Sequence, residues 1–252
     1  MPKISIITPT FNSERTLDRT IKALLDQTFS DFEYLIIDGA SKDGTVSKIK
    51  SYIPEFEKKG VTVTIVSEPD KGVYDAMNKG ISLAQGQLIG ITNSDDWYEN
   101  DALELMWNRF CDKDIDQGNC MLYGIERQWK DNKIYMVYRR GADFVGEGTL
   151  PHATFFVAKE VYKKYGAFDL SIKVLADYDF YCRCQQQGAK LYGIDRVISN
   201  FRLGGLSSSY FDYYEDFHAL QKKYGFITSK RYKEIMFVLK AKKIINKVAK
   251  RW

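Results

Sequence analysis

Apolar and polar positions along the first part of the chain form short buried runs separated by helical stretches. Apolar, β-branched runs at Lys3 to Thr8 and Glu33 to Ile37 are typical of buried strands, and they end at a Pro and an Asp-Gly pair. Between them, apolar residues from Leu17 to Leu25 recur at helical spacing. The pattern therefore predicts a β-α-β unit.

The same pattern predicts helices at about Thr45 to Tyr52 and Tyr74 to Leu83, with strands at Val61 to Val66 and Gln87 to Thr92. Alternation of this kind favours an α/β fold with a mainly parallel central sheet flanked by helices. Sites in such sheets form beyond the carboxyl ends of the strands. The residues at these ends are Thr8, Pro9, Thr10, Asp38, Glu68, Ser94, Asp95 and Asp96.

Beyond about Phe110 the alternation stops. Gly-rich and aromatic segments surround a helix predicted near Tyr178 to Gln187 and strands near Leu191 to Phe201. No repeat or low-complexity linker separates this region from the first, so we interpret the two as continuous.

The end of the chain is strongly basic. Between Thr228 and Trp252 there are nine Lys or Arg and one Glu, a net charge of +8. Because the whole chain has a net charge of +4, residues 1–227 have a net charge of about −4. Apolar residues at helical spacing among these charges predict a basic amphipathic helix, a type that binds anionic membranes at about 1 kcal/mol per basic residue. Packing on the domain, a dimer contact and RNA binding are alternatives, the last without a nucleic-acid motif. The apolar positions are Phe237, Ala241, Ile244, Ile245, Val248 and Trp252.

Composition narrows the possible classes of protein. The chain has 252 residues and is 44% hydrophobic, enough for a substantial core. It has no apolar run of about 18 residues and no cleavable signal, so we expect a cytoplasmic protein attached peripherally to the inner face of the membrane. Four cysteines without CxxC spacing and two histidines do not suggest a zinc site.

Asp95 and Asp96 are adjacent acids after a predicted strand. Carboxylates in a fixed loop are what a hard divalent cation needs in order to neutralise a diphosphate. Acids are also common in turns, and these two precede a helix that would start near Asp101. The pair is therefore informative only together with its neighbours.

Four segments resemble, in order and spacing, the nucleotide-binding half of family 2 glycosyltransferases. They are IITPTFN (6–12), IIDGASKDGT (36–45), EPDKGVYDAMNKGI (68–81) and ITNSDDWY (91–98). The resemblance implies a GT-A fold and an inverting enzyme that uses a UDP-sugar and Mn²⁺ or Mg²⁺. It implies a nucleotide-sugar-binding half at residues 1–110 and an acceptor-side region with the catalytic base at residues 111–227. The basic helix predicted above would follow at residues 228–252.

The resemblance also implies roles for single residues. Thr8 and Pro9 would line the base pocket, and Asp38 would accept the uracil N–H, although it can equally begin a turn. Asp96 would coordinate the metal, and Asp95 would face the ribose or the donor sugar. Further nucleotide-sugar contacts are expected from Thr10, Asn12, Ser41, Lys71, Asp75, Asn78, Ser94, His152 and Arg202.

Two positions depart from the family pattern. Ser94 stands where Asp is frequent, and Met77 stands where Arg is frequent. The second departure removes a cation that would contact the diphosphate, with Lys71 or Lys79 as possible substitutes.

The segment LADYDFYCR (175–183) resembles the family segment that opens a helix with Glu-Asp, which implies that Asp177 is the catalytic base. Ala176 replaces the usual Glu, so its contribution is lost or comes from Asp179. Alternatively, Asp177 caps the helix and Asp179 is a first-turn acid. The upstream segments favour the base.

Two further segments resemble family elements. PHATFF (151–156) implies that His152 contacts the diphosphate or the acceptor, although a single His is commonly structural. Arg202 and the loop Gly204 to Ser207 resemble the segment that closes over the donor, with an ordinary glycine loop as the alternative.

We therefore expect transfer of a hexose or N-acetylhexosamine to a saccharide acceptor. The acceptor would be an oligosaccharide or a polyprenyl-diphosphate-linked sugar, in the assembly of a bacterial surface polysaccharide such as O-antigen or capsule. A sugar-phosphate nucleotidyltransferase is an alternative, but residues 8–12 are not a Gly-rich triphosphate loop. A non-catalytic nucleotide- or sugar-binding module is another. No nucleic-acid partner is expected, and the oligomeric state is left open.

Overall fold

The computed structural model describes residues 1–204 and 210–249, and within these ranges nine strands form one sheet. The strands are β1 (Ile4–Thr10), β2 (Phe32–Asp38), β3 (Thr62–Ser67), β4 (Leu88–Ile91), β5 (Trp97–Tyr98), β6 (Cys120–Lys130), β7 (Lys133–Tyr138), β8 (Phe156–Ala158) and β9 (Lys190–Arg202). The helices are α1 (Leu17–Leu25), α2 (Thr45–Lys58), α3 (Val73–Leu83), α4 (Ala102–Phe110), α5 (Lys159–Tyr165), α6 (Ala176–Gln186), α7 (Tyr210–Lys223) and α8 (Ser229–Ala249). None of these helices is long and apolar enough to cross a membrane.

The first half is a parallel sheet in the order β3-β2-β1-β4. Every residue of β1, β2 and β4 is buried, as expected for strands covered by helices on both faces. The predicted β-α-β units are therefore confirmed. The carboxyl ends of β1, β2 and β4 lie side by side, which brings the loops after Thr10, Asp38 and Ile91 to one edge of the sheet.

The second half continues the same sheet with mixed pairing. β8 is antiparallel to both β4 and β6, β6 runs parallel to β9, and β5 is antiparallel to β9. One hydrophobic core extends through both halves, from Ile4 in β1 to Leu220 in α7. The predicted continuity of the two regions is confirmed, while the parallel arrangement is confined to part of the sheet.

Several elements differ from the sequence prediction. α2 was expected to end at Tyr52 before Pro54, but it continues to Lys58 with Pro54 inside it. The extra turn buries Phe56, which is 1% exposed, so core packing outweighs the hydrogen bond that proline cannot donate. The β6–β7 hairpin and α7 were not predicted. Of the predicted loop Gly204 to Ser207, only Gly204 lies within the described residues. Of the predicted basic helix, the described residues extend to Ala249.

α3 approaches β1 closely at Gly80. A Cβ atom on Gly80 would lie 2.5 Å from Cγ2 of Ile7, a fully buried β-branched residue that cannot easily move. The glycine therefore sets the distance between this helix and the sheet that carries the site.

We predict that Gly80→Ala destabilises the protein by about 1–3 kcal/mol, because overpacking exceeds the gain in helix propensity of about 1 kcal/mol. Ser82→Ala, on the exposed face of the same helix, should change the free energy of unfolding by less than about 0.5 kcal/mol. Urea unfolding of both variants measures this. A more stable Gly80→Ala variant would contradict the close packing.

Candidate functional site

Asp38, the last residue of β2, is completely buried and surrounded by donors. Its Oδ1 accepts hydrogen bonds from Thr10 Oγ1 at 3.0 Å and Ser41 Oγ at 2.5 Å. Its Oδ2 accepts from the Ser41 amide at 2.9 Å and from Ser67 Oγ at 2.7 Å. Burial alone would raise the pKa of Asp38, but these hydrogen bonds together hold the pKa below its usual value. An imide N–H could reach this ionised acceptor only if a hydroxyl such as that of Ser67 turned away.

Hydrogen bonds between loops join the ends of β1, β2 and β4. Asn12 adopts a left-handed conformation with φ of 49°, donates its amide to Ser41 Oγ at 2.8 Å, and accepts from the Lys42 amide at 2.9 Å. Ser13 Oγ lies 2.7 Å from Ser94 Oγ in the acidic loop. The structure therefore brings the predicted residues of these loops together. The remaining predicted residues of this edge, Thr8, Pro9 and Thr10, are buried in β1.

Asp95 and Asp96 are adjacent but occupy different environments. Asp96 is completely buried, with Oδ1 accepting the Arg202 amide at 2.9 Å and Oδ2 accepting Asn93 Nδ2 at 3.1 Å. Asp95 is partly exposed, and no other side chain in the described ranges donates a hydrogen bond to it. Asp96 was expected to coordinate the metal, and this stays a prediction. Both of its carboxylate oxygens accept hydrogen bonds from the protein, so Asp95 is the more accessible acid of the pair. The geometry favours Asp95.

The acid pair has the electrostatics of a cation site. Burial raises the pKa of Asp95, and burial together with the charge of Asp95 raises the pKa of Asp96. Within the described residues, no three His, Cys, Asp or Glu side chains could hold a metal by themselves. Divalent cations in nucleotide sites commonly take one or two carboxylates, phosphate oxygens and water. The pair therefore fits a cation that is held jointly with a diphosphate.

The start of α3 carries other residues that were expected to bind the donor. Asp75 Oδ2 accepts the Lys71 amide at 3.0 Å, so the two residues shape the turn into the helix. Lys79 Nζ pairs with Glu68 at 2.9 Å, so it is already engaged. The side chain of Lys71 forms no ion pair within the described residues, which makes it the better substitute for the arginine missing at Met77.

Asn78, expected to contact the nucleotide-sugar, forms hydrogen bonds within the protein. Its Nδ2 donates to the Phe168 carbonyl at 2.9 Å, and its Oδ1 accepts the Phe168 amide at 3.0 Å. Both ends of the side-chain amide therefore fix the segment that leads to α6, which accounts for Asn78 without a nucleotide.

Asp177 lies in the first turn of α6 and is 9% exposed. The hydroxyl of Tyr74, from α3, lies 2.9 Å from Asp177 Oδ1 and 2.6 Å from the Val174 carbonyl. Burial and the charge of Asp177 raise the pKa of Tyr74, so the phenol keeps its proton. His152 Nδ1 lies 3.9 Å from Asp177 Oδ2, and its buried Nε2 lacks a hydrogen-bond partner within the described residues.

Tyr74 was not singled out from the sequence. It lies within the matched segment 68–81, but nothing in that segment signals a contact with a residue 103 positions away. Through this contact the first half of the chain holds the acid of the second half.

Asp179, considered as a replacement for the missing Glu at Ala176, is structural. It is 1% exposed, and its Oδ1 accepts from Lys223 Nζ at 2.7 Å and from the Tyr224 hydroxyl at 2.6 Å. Arg183 Nε lies 3.5 Å from its Oδ2. These contacts anchor α6 to the end of α7 and leave no access for an acceptor sugar.

The site thus combines an acidic loop at the carboxyl edge of a parallel sheet with an acid of the second half, Asp177, that Tyr74 joins to the first half. This arrangement is compatible with an enzyme of the glycosyltransferase class. Residues 5–166 match the family model described as Glycosyl transferase family 2, and the chain belongs to that family. The family assignment favours sugar transfer over nucleotidyl transfer.

Among similar proteins, a PGL/p-HBAD biosynthesis glycosyltransferase of Mycobacterium bovis is 29% identical over 219 residues, covering 84% of this chain and 81% of the relative. Chondroitin synthase of Escherichia coli is 26% identical over 221 residues, covering 83% of this chain and 30% of the relative.

Solved structures show the same fold. TarS 1-349 of S. aureus in complex with UDP-GlcNAc has a TM-score of 0.70 and 18% identity, covering 88% of this chain and 66% of that chain. The mannosyltransferase PcManGT of Pyrobaculum calidifontis, in complex with GDP-Man and Mn²⁺, has a TM-score of 0.65 and 16% identity, covering 88% and 63%. The chain thus spans slightly less than two thirds of these structures, and its GT-A fold is confirmed.

Proposed function

We propose that the chain is an inverting glycosyltransferase that moves a hexose or N-acetylhexosamine from a UDP-sugar to a saccharide acceptor. The family assignment supports sugar transfer, and the structural neighbour in complex with UDP-GlcNAc supports a UDP-sugar donor. The observation that carries the proposal is the position of Asp177, a nearly buried acid that Tyr74 joins to the nucleotide-binding half.

In this reaction the oxygen of the acceptor hydroxyl attacks the anomeric carbon while the bond from that carbon to the UDP oxygen breaks. The carboxylate of Asp177 takes the hydroxyl proton, and UDP leaves with the electron pair of the broken bond. Tyr74 fixes one carboxylate oxygen, and His152 lies beside the other. Attack from the side opposite the diphosphate inverts the anomeric carbon.

On the donor side, Asp38 would bind the uracil, and Asp95 would hold Mn²⁺ or Mg²⁺ together with the diphosphate. When bound, the metal would act as a Lewis acid that neutralises the leaving diphosphate. Asp96 supports the site indirectly, because it fixes Asn93 and the backbone of Arg202. The exposed Lys71 supplies further positive charge near the diphosphate.

The C-terminal helix supports attachment to an anionic membrane. Leu239 is buried and Lys243 Nζ lies 3.3 Å from Glu215 Oε1 of α7, so this side of α8 packs on the protein. Phe237, Val238 and Ile245 lie on the opposite side and are 77%, 51% and 64% exposed. Exposed apolar residues among lysines suit an anionic lipid surface.

The acceptor is therefore proposed to be lipid-linked, at the inner face of the cytoplasmic membrane, in bacterial surface-polysaccharide assembly. The relatives named for PGL/p-HBAD biosynthesis and as chondroitin synthase support a role in building a saccharide. By binding the membrane, α8 would bring the proposed active site close to such an acceptor.

For the base, we predict that Asp177→Asn lowers the transfer rate at least about 100-fold while UDP affinity stays within about twofold, because only proton removal is lost. Asp179→Asn, two residues along the same helix, is the matched control. It should cost roughly 3 kcal/mol of stability and retain transfer per folded molecule. Transfer assays, UDP titration and urea unfolding separate the two effects. Full transfer activity in Asp177→Asn would disprove the assignment.

For the metal, we predict that Asp95→Asn weakens Mn²⁺-dependent UDP binding about tenfold or more with little loss of stability. Asp96→Asn should mainly lower the free energy of unfolding, by about 1–3 kcal/mol. The NH₂ group of the new side chain would face an N–H donor where the carboxylate accepted a hydrogen bond. Calorimetric titration of UDP with and without Mn²⁺ measures the first effect. Loss of the metal dependence in Asp96→Asn alone would restore Asp96 as the ligand.

For the C-terminal helix α8, we predict that the double substitution Phe237→Ser, Ile245→Ser lowers co-sedimentation with anionic vesicles roughly tenfold or more. Two apolar side chains would no longer insert into the lipid surface. The matched control is the double substitution Ile134→Ser, Val137→Ser on the exposed strand β7. It should leave co-sedimentation unchanged. Equal sedimentation of the full chain and a chain ending at Ile227 would refute membrane attachment.

A further inference from the structure

Two tryptophans and an arginine form a stack beside the acidic loop. The guanidinium carbon of Arg19, in α1, lies 3.3 Å from the ring centroid of Trp97 and 5.1 Å from that of Trp129. The two indole rings are 5.6 Å apart, and Trp129 Nε1 donates to Asn200 Oδ1 at 2.7 Å. The rings are therefore held in place by the sheet, and Arg19 lies over one of them.

The stack forms one wall of a depression of about 250 Å³. Arg202 also lines this depression, as do Asp131 and Asn132 in the turn between β6 and β7. Nothing in the proposed transfer reaction uses Arg19, Trp97 or Trp129.

The guanidinium groups of Arg19 and Arg202 are free to bind. Within residues 1–204 and 210–249, neither side chain forms a hydrogen bond or an ion pair. A guanidinium stacked on an indole uses its face, and its N–H donors remain available at its edge for a planar or tetrahedral anion. Burial and then the positive charge of Arg202 lower the pKa of Arg19, as expected for two cations without an anion between them.

The depression adjoins the acidic loop, because Trp97 directly follows Asp96. Arg202 interacts electrostatically with both Asp95 and Arg19, and its amide binds Asp96. The charged groups that act on Arg19 are Arg202 and Glu99, and neither Asp38 nor Asp95 is among them. Arg202 therefore borders both sites, whereas Arg19 lines this depression and a neighbouring one between α1 and residues 97–101.

We propose that this depression, with Arg19 and Arg202 against Trp97 and Trp129, binds a negatively charged sugar unit of the acceptor, one that bears a phosphate or a carboxylate. The inference rests on the proposed transfer reaction. The two guanidiniums bind the anionic group, the half-buried indole of Trp129 packs on the sugar ring, and Asp131 and Asn132 take hydroxyl groups. Arginine, tryptophan and short polar side chains together match a charged saccharide better than a neutral one.

The test uses the full chain saturated with UDP and Mn²⁺, so that the donor site is occupied. Quenching of tryptophan fluorescence is titrated with inorganic phosphate, methyl glucuronide and the neutral methyl glucoside. We expect phosphate and the glucuronide to bind, and the glucoside to bind about tenfold more weakly. Trp129→Phe should remove most of the signal.

Substitutions then assign the binding to Arg19. Arg19→Gln should weaken the binding of phosphate and glucuronide about tenfold or more. Arg19→Lys, which keeps the charge without the planar guanidinium, should bind with intermediate affinity. Arg15→Gln, an exposed arginine just ahead of the same helix, is the charge-matched control and should bind as the unsubstituted chain does. UDP affinity should be unchanged in all three variants.

The outcomes that overturn the proposal are distinct. Competition between phosphate and UDP, or a parallel loss of UDP affinity in Arg19→Gln, would place Arg19 in the donor site. Normal UDP binding without any anion binding would refute the subsite alone. Failure of the unsubstituted chain to bind UDP would instead refute the proposed transfer function and, with it, the acceptor role of the depression.

Discussion

Parallel pairing of the first four strands is the constraint on which the site depends. Strands that run in the same direction end at the same edge, and each must be followed by a crossover that starts there. Residues far apart in sequence therefore meet, as Ser13 and Ser94 do across 81 positions. Thr20 also donates to the Asp96 carbonyl from α1, at 2.6 Å. The loops supply the chemistry, but the sheet determines which loops can cooperate.

Hydrogen bonds and ion pairs divide two pairs of nearby acids, Asp95 with Asp96 and Asp177 with Asp179, into two groups. Asp96 and Asp179 are enclosed, and hydrogen bonds or ion pairs use their oxygens to join separate elements. Asp95 stays partly exposed, and Asp177 is held mainly through a single phenol. Each group contains one member of each pair, so acids that are close in sequence have different surroundings. Within these two pairs, the surroundings of each carboxylate, and not its place in a motif, are the basis on which ligand-binding and structural roles are proposed.

The first half of the fold could be predicted because its strands are buried on both faces and its helices have one apolar side. The β6–β7 hairpin could not, since five of the six residues of β7 are exposed and show no apolar alternation. The turn did carry a sequence signal, the adjacent pair Asp131 and Asn132. Asp and Asn tolerate the positive φ that such a turn requires, and here their φ angles are 51° and 59°. Within the site, residue types could be predicted from the resemblance. Partners such as the Arg202 amide, 106 positions from Asp96, depend on the tertiary structure.

The insertion of β8 between β4 and β6 has a consequence for biosynthesis. On the ribosome, β1 to β4 emerge well before β8. Until Phe156–Ala158 arrive, one side of β4 presents unpaired N–H and C=O groups on an apolar strand, the kind of edge that recruits other chains. The first half of the sheet is thus not completed as a folding unit until β8 has been made. A nascent chain that stalls between β4 and β8 would be a natural substrate for a chaperone.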